Sequence, residues 1–381
     1  MIRRHRLAAA LGLAVLGAPT AAGAQWFDSY RTFSVYLEND VLAFWKGDNT
    51  TDERFTQGLR LTWEFATWPE WAGAAQHRLS VLSLVRPSRF GRIHNACEPQ
   101  LTRAVGACGS VTLGLGQTMY TPVDIITPVR QPRDQPFAGW LFGTMGFNAR
   151  DGRWQSTSDI VVGVVGPGSF ARDTQSLAHW TWAHGAPRPG GWDNQLRGSL
   201  HGGMLQTFAV HWFEKCLRGK GTCSGGANED RVFDLSPRVE LVGMTTMVRA
   251  SAGAALRVGR GFPDVLSQRI PATGVPAHRR PPARWWWNGL VAADQRWVPY
   301  NGFISGTYAD GGPDGWRTIR EITTGRWVNE WAVGGSIGNG LFSLNVQAVS
   351  RSPEWSALGQ SSADKARHSY LALSLALNQG R

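Results

Sequence analysis

Beyond its first two dozen residues, this 381-residue chain has no run of eighteen or more apolar residues. That excludes a transmembrane helix in the mature protein. An exported chain of this kind is a soluble protein or a membrane β-barrel. Cysteine is scarce as well: four residues form two close pairs, Cys97/Cys108 and Cys216/Cys223. No Cys-x-x-Cys occurs and the spacings fit no zinc site. In an oxidising compartment local closure of each pair is the simplest of three pairings. Gly-x-Ser-x-Gly is missing, which removes the serine nucleophile elbow. No Asp-x-Asp-x-Asp-Gly loop exists, so there is no EF-hand. Lys and Arg are scattered and the signatures of nucleic-acid-binding domains are missing, so no nucleic acid is expected as partner.

What is present points to the cell envelope. "MIRRHR" is a positive n-region, an apolar stretch follows, and Ala22-Gly23-Ala24 offers a cleavage site. Residues 1–24 therefore read as a signal peptide, leaving 25–381 as one domain. Three of the arginines behind the net charge of +11 leave with that leader, and the rest stays basic. Such a protein suits an acidic partner, phosphorylated lipid being a natural one.

Nineteen tryptophans and forty-six glycines fit a barrel with aromatic girdles and tight turns. In "TQGLRLTWEF", Leu59, Leu61, Trp63 and Phe65 share one face, and Thr56, Gly58, Arg60, Thr62 and Glu64 the other. Similar segments fall near 33–44, 56–67, 111–119, 138–149, 156–165, 200–213, 232–243, 247–259, 285–297, 318–329, 330–350 and 367–377. Within 330–350, Asn339-Gly340 marks a tight hairpin. The terminal segment alternates Tyr370, Ala372, Ser374 against Leu371, Leu373, Leu375, which lets a barrel close without an edge. A soluble β-sandwich uses the same alternation; the leader and the tryptophan load favour the barrel.

One segment breaks this rhythm. "GPGSFARDTQSLAHWTWAHG" (166–185) predicts a helix from about Ser169, a plausible N-cap, lying in a loop. Phe170, Thr174, Leu177, Ala178 and Thr181 form one stripe; Arg172, Gln175, His179 and Trp182 form another. Gln175 and His179 emerge one turn apart on one face. A neutral histidine can take a proton from water, with the amide orienting it. From spacing alone, two surface residues are the simpler reading. His77, His94, His184, His201, His211 and His278 have no obvious partners.

"YLENDVLAF" places Glu38, Asn39 and Asp40 inside a strand-like run, although all three are poor strand formers. Regular alternation sends Glu38 and Asp40 one way and Asn39 the other, with Val35 and Leu37 on the outside. They serve one centre only if the strand ends or bulges there. Asp and Asn oxygens suit Ca²⁺, and Thr56 could add a hydroxyl. Alone, a polar strand end at the membrane rim is the preferred reading.

Taken in order, "LENDVLAF", "DERFTQGLRLTW", "GQTMYTP", "DQPFAGWLFG", "GVVGPGSFARDTQSLAH", "GWDNQL" and "SRSPEWSALGQ" resemble the lipid A 3′-O-deacylase family of outer membranes, LpxR. The resemblance implies a twelve-stranded antiparallel transmembrane β-barrel with a short extracellular-loop helix. It implies a Ca²⁺-dependent esterase that removes a 3′-O-acyloxyacyl chain from lipid A of lipopolysaccharide, working as a monomer. It assigns His179 as the base, Gln175 beside it, and Asn39, Asp40 and Thr56 to the metal end. Departures stand at Gln57, at Gln135, and after His179, where "WTWAHGA" carries no acidic residue. The missing carboxylate keeps a non-catalytic barrel, a pore or surface-binding protein, open as an alternative. An outer-membrane phospholipase is another.

Overall fold

The computed structural model describes residues 30–40, 54–65, 94–95, 108–151, 153–181, 188–216, 231–263, 284–360 and 368–378. Twelve long strands form the wall. They are β1 (Tyr30–Asn39), β2 (Arg54–Phe65), β3 (Cys108–Thr121), β4 (Ala138–Asp151), β5 (Trp154–Val165), β6 (Ser199–Val210), β7 (Arg231–Met244), β8 (Met247–Phe262), β9 (Trp286–Asn301), β10 (Trp327–Gly338), β11 (Phe342–Arg351) and β12 (His368–Asn378). Each pairs antiparallel with its chain neighbours, and β12 pairs with β1. The sheet therefore closes and leaves no edge within the wall.

Alternation explains the wall. On β1, Thr32, Ser34, Tyr36 and Glu38 are buried in the lumen, while Phe33, Val35, Leu37 and Asn39 face out. On β12, Tyr370, Ala372 and Ser374 are buried and Leu375 is exposed. Val162, Leu200, Leu241, Val291 and Val333 stand exposed on the outer face, as lipid contact requires. Trp287 and Trp297 are both exposed on β9, and Trp327 sits opposite Trp297 on β10. Trp287 and Trp297 lie about 33 Å apart along the strand, which at the usual tilt is ~25 Å in height, that of an apolar belt between two girdles.

The lumen holds paired charges. Arg296 donates to Glu330 at 2.6 Å, Arg351 reaches the same carboxylate at 2.8 Å, and Arg238 pairs with Asp294. Buried charge persists only when paired in this way. Glu330→Ala takes that carboxylate from the buried guanidinium of Arg296 and the largely buried one of Arg351. It should cost about 3–5 kcal/mol, read as an earlier loss of the compact barrel band when samples are heated before gel electrophoresis.

In place of the wall strand expected at 318–329 stand a short helix, Trp316–Ile319, and a three-residue strand, Ile322–Thr324. The β9–β10 connection instead folds into the barrel mouth, with Phe303, Ile304 and Trp316 buried. Phe303 stacks on Tyr120 with centroids 4.7 Å apart and meets Trp140 at 5.5 Å. Ile322–Thr324 pairs with Trp355–Ala357 in a separate ribbon, and the wall resumes at Trp327. Its apolar residues fill the mouth rather than alternate across a sheet. The hairpin expected at Asn339-Gly340 is present, joining β10 and β11. Its loop covers residues 339–341, and the Asn339 carboxamide accepts from the amides of Leu341 and Phe342. Cys216 is disulfide-bonded; Cys97 and Cys223 lie outside the described residues.

Candidate active site

The one long helix described, α1 (Ala171–Thr181), lies against the outside of the wall. Gly166, at φ 86°, turns the chain off β5, and its amide donates to Gly139 O at 2.9 Å. A 3-10 turn, Pro167–Ser169, packs on β5 and β4; α1 then packs on β4 and β3. The chain thus travels from β5 towards β1. The helix starts two residues later than expected because Phe170 takes a left-handed conformation, φ 57°. Ser169 is no simple N-cap: its hydroxyl donates to Gly166 O at 2.6 Å and only distantly accepts from the Ala171 amide, at 3.4 Å.

Outward residues of the wall hold this helix in place. Met119 is buried with Ile125, Phe137, Ala171 and Trp192. Gln117 donates to Ser169 O at 2.6 Å. Gly139 leaves room for the closest approach, since a Cβ there would lie 2.1 Å from Ser169 Oγ and 2.3 Å from Ala171 Cβ. Beyond the helix, Trp192 donates from Nε1 to Gln175 Oε1 at 2.7 Å. Indole is a donor only, so this bond fixes which end of the amide is oxygen. Gln175 is 2% exposed and His179 half-buried on the same flank, one turn on. Arg172 pairs with Asp193 at 2.6 Å on that flank, an exposed contact that adds orientation more than stability.

The residues expected to hold a metal stand on the same rim. β1 ends at Asn39 and the chain bends at Asp40, which is wholly buried. Glu38 belongs elsewhere: in the lumen it accepts from the Tyr36 hydroxyl at 2.6 Å. Thr56 lies on β2 where the register slips, Phe55 facing Tyr120 and Gln57 facing Met119. This bulge breaks alternation at the residue expected to join Asn39 and Asp40. The Thr56 side chain lies outside the described residues.

Register joins the two ends. Asn39 faces Gln57, Gln57 faces Met119, and Met119 faces Gly139. Asn39 and the start of α1 are thus in register, three strand spacings apart, about 14 Å. From Ala171 to His179 the helix rises about 12 Å. Running over β4 and β3 towards β1, α1 is long enough to carry the imidazole towards Asn39 and Asp40.

The quoted motifs mostly build this platform. Gln135 is buried and donates to Thr121 O at 2.6 Å, closing the base of the β3–β4 loop. Asn194 donates to Pro128 O at 2.5 Å across that loop. Asp124 in the loop is held below the usual carboxylate range by the Thr127 hydroxyl and amide. The donor set of Asn39, Asp40 and Thr56 is all hard oxygen and suits Ca²⁺ over a soft metal. Among the described residues no group of three His, Cys, Asp or Glu gathers to hold a metal. With one carboxylate, backbone carbonyls and water would complete the shell.

Two histidines set aside in the sequence do have partners. His211 Nδ1 meets Asp234 at 2.7 Å and Ser236 at 3.0 Å, and its Nε2 meets Gln155 at 2.8 Å. All four are buried, and serine and aspartate share one ring nitrogen, so this is a luminal knot and not a nucleophilic triad. His201 lies between Ser199 (2.7 Å) and Thr245 (2.9 Å), tying β6 to the β7–β8 turn.

No curated protein matches the chain. Among solved structures, LpxR from Salmonella typhimurium aligns over 91% of this chain and 99% of its own, at 14% identity and a TM-score of 0.63, which shows the same fold. The β domain of the Bordetella autotransporter BrkA covers 92% of the chain and 100% of its own at 9% identity, but its TM-score of 0.38 is too low to add to this. Residues 7–375 match the family described as outer membrane protein LpxR, and the chain belongs to that family of outer-membrane proteins.

Proposed function

We propose that the protein is an outer-membrane esterase that hydrolyses the ester-linked 3′-O-acyloxyacyl chain of lipid A, the membrane anchor of lipopolysaccharide. The observation that carries this reading is the shared register of Asn39 and the start of α1, which brings the helix that carries His179 and the strand end that carries Asn39 onto one stretch of outer wall. His179 takes a proton from water; the water attacks the ester carbonyl carbon. The same imidazole then protonates the departing sugar alkoxide, and the acyl chain leaves as a free acid. Gln175, oriented by Trp192, positions the imidazole or the water. Asn39, Asp40 and Thr56 would hold Ca²⁺, which when bound polarises the ester carbonyl.

Mass spectrometry of lipid A from cells with and without the protein tests the reading. Loss of one acyloxyacyl chain only when the protein is present is the expected result. Acyl loss from phospholipids with lipid A unchanged would replace it with a phospholipase. A chelator should lower release about tenfold or more, with recovery in Ca²⁺ and not Mg²⁺. With one carboxylate in the donor set, half-recovery is expected near 10⁻⁴–10⁻³ M, roughly the weak end of protein sites.

The filled mouth argues against the pore reading. Phe303, Ile304 and Trp316 occupy the space through which ions would pass. In planar bilayers the protein should show no steady conductance, and replacing residues 303–319 by a short Gly-Ser linker should open one.

A further inference from the structure

Helix α1 has two flanks with opposite surroundings. One carries Arg172, Gln175 and His179 and is tied by Arg172–Asp193 and Gln175–Trp192 to the turn Gly191–Asn194. That turn leans in turn on the β3–β4 loop, above the end of the strands. The other flank carries two large apolar side chains, Leu177 and Trp180, beside the exposed Asp173, and no described protein element covers it. Leu177 is 59% exposed and Trp180 70%, with Phe170 just before the helix at 42%. Leu177 and Trp180 are three apart and so neighbours on one surface.

The wall tells what lies below. Down the outer face from Gly139, β4 presents Leu141 and Met145, β3 presents Leu115 and Leu113, and β2 presents Leu59, Leu61 and Trp63. These belong to the lipid-facing belt of an outer-membrane barrel. The polar flank faces the loops above, so the opposite flank faces this belt. An amphipathic helix in that position rests at the boundary of headgroups and acyl chains, its apolar side sunk about 5–10 Å.

We propose that Leu177, Trp180 and Phe170 dock α1 onto the hydrocarbon of the surrounding leaflet, making the helix an interfacial element that sets His179 at the depth of glycolipid esters. The docking surface stands on geometry alone; its consequence for His179 rests on the esterase reading. The lipid is both partner and gauge. The barrel fixes the helix laterally through Gly139 and Met119, and the bilayer fixes its unsupported side. Ester oxygens lie where the acyl region meets the headgroups, and His179 occupies the flank just above the apolar one.

The test is a depth measurement. Nitroxide labels are attached at Leu177→Cys and, separately, at Arg172→Cys, and the full chain is reconstituted in phosphatidylcholine vesicles. Collision with oxygen should dominate at 177, and collision with a water-soluble nickel complex at 172. Equal access of the nickel complex to both positions would overturn the docking surface, whatever the protein's activity. Leu177→Asp combined with Trp180→Asp should leave the heat-modifiable barrel band intact and raise the nickel accessibility of a label at 176 several-fold. No change at 176 would also count against the proposal. Lipid A hydrolysis in vesicles should fall in that double variant. Intact docking with no hydrolysis in any form would reject the esterase reading alone.

Discussion

His179→Ala should lower release of the acyl chain by about 10³-fold and leave the barrel assembled. A positioned general base contributes about 10²–10⁴-fold, and no other described histidine lies on α1; His201 and His368, at the same end of the wall, are buried on its luminal face. The variant separates chemistry from folding because of where His179 stands. It belongs to a loop helix, outside the strand ladders and outside the apolar cluster under the helix. Removing it costs no strand pairing and opens no hole beneath Ala171. The measurement is the rate of lipid A deacylation by purified protein in detergent, with the fast-migrating folded band as the control. His179→Gln should be as inactive as alanine, since an amide is no base at neutral pH. Unchanged release in either variant, with the band intact, would sink the mechanism. Gln175→Ala should lose less, about tenfold to a hundredfold, because it acts through the orientation of the base.

How much of this was legible in the sequence differs between wall and site. Period-two alternation with tryptophans at strand ends is a direct imprint of a wall between lipid and a polar lumen. Leu59-Leu61-Trp63 against Arg60-Thr62-Glu64 displays it, and twelve strands follow. Alternation says nothing about a loop that turns into the lumen, which is why 318–329 reads as a strand. Ile322 is buried there, and Trp316 just before it packs with Phe303 against luminal residues of the wall, a contact with no period. At the site, the i,i+4 spacing of Gln175 and His179 was visible, but its meaning depended on the partners. Trp192 reaches Gln175 from across a connection, and Gly139 accepts α1 from a strand well before it in the chain. Glu38, Asn39 and Asp40 read as one polar triplet, whereas the structure separates them into lumen, outer face and bend. The outer face of Asn39 followed from parity; the bend at Asp40 and the slip at Thr56 did not.

Gly139→Val should reduce activity about 10²-fold while the barrel still folds, and the reason is a single missing Cβ. On the outer face of β4, Gly139 lies directly under the start of α1. Any Cβ there would sit 2.1 Å from Ser169 Oγ and 2.3 Å from Ala171 Cβ, distances real atoms do not adopt. The wall cannot yield, because Gly139 is paired with Met119 in a ladder that continues to Asn39. The helix must yield instead, lifting by an ångström or more at its anchored end. Met119 and Ala171 would then lose contact, and a shift of about 1 Å at a reacting group costs on the order of 10²-fold. The natural control lies on the same strand and face. At Gly143 the nearest atoms to an added Cβ are 3.9 and 4.0 Å away, in ordinary contact, and the residue is exposed. Gly143→Val should therefore leave both band and rate unchanged. If the two variants lose activity equally, bulk on the wall is the cause and the seating of α1 is not. If neither loses it, the helix need not lie where the structure puts it for the ester to be cut.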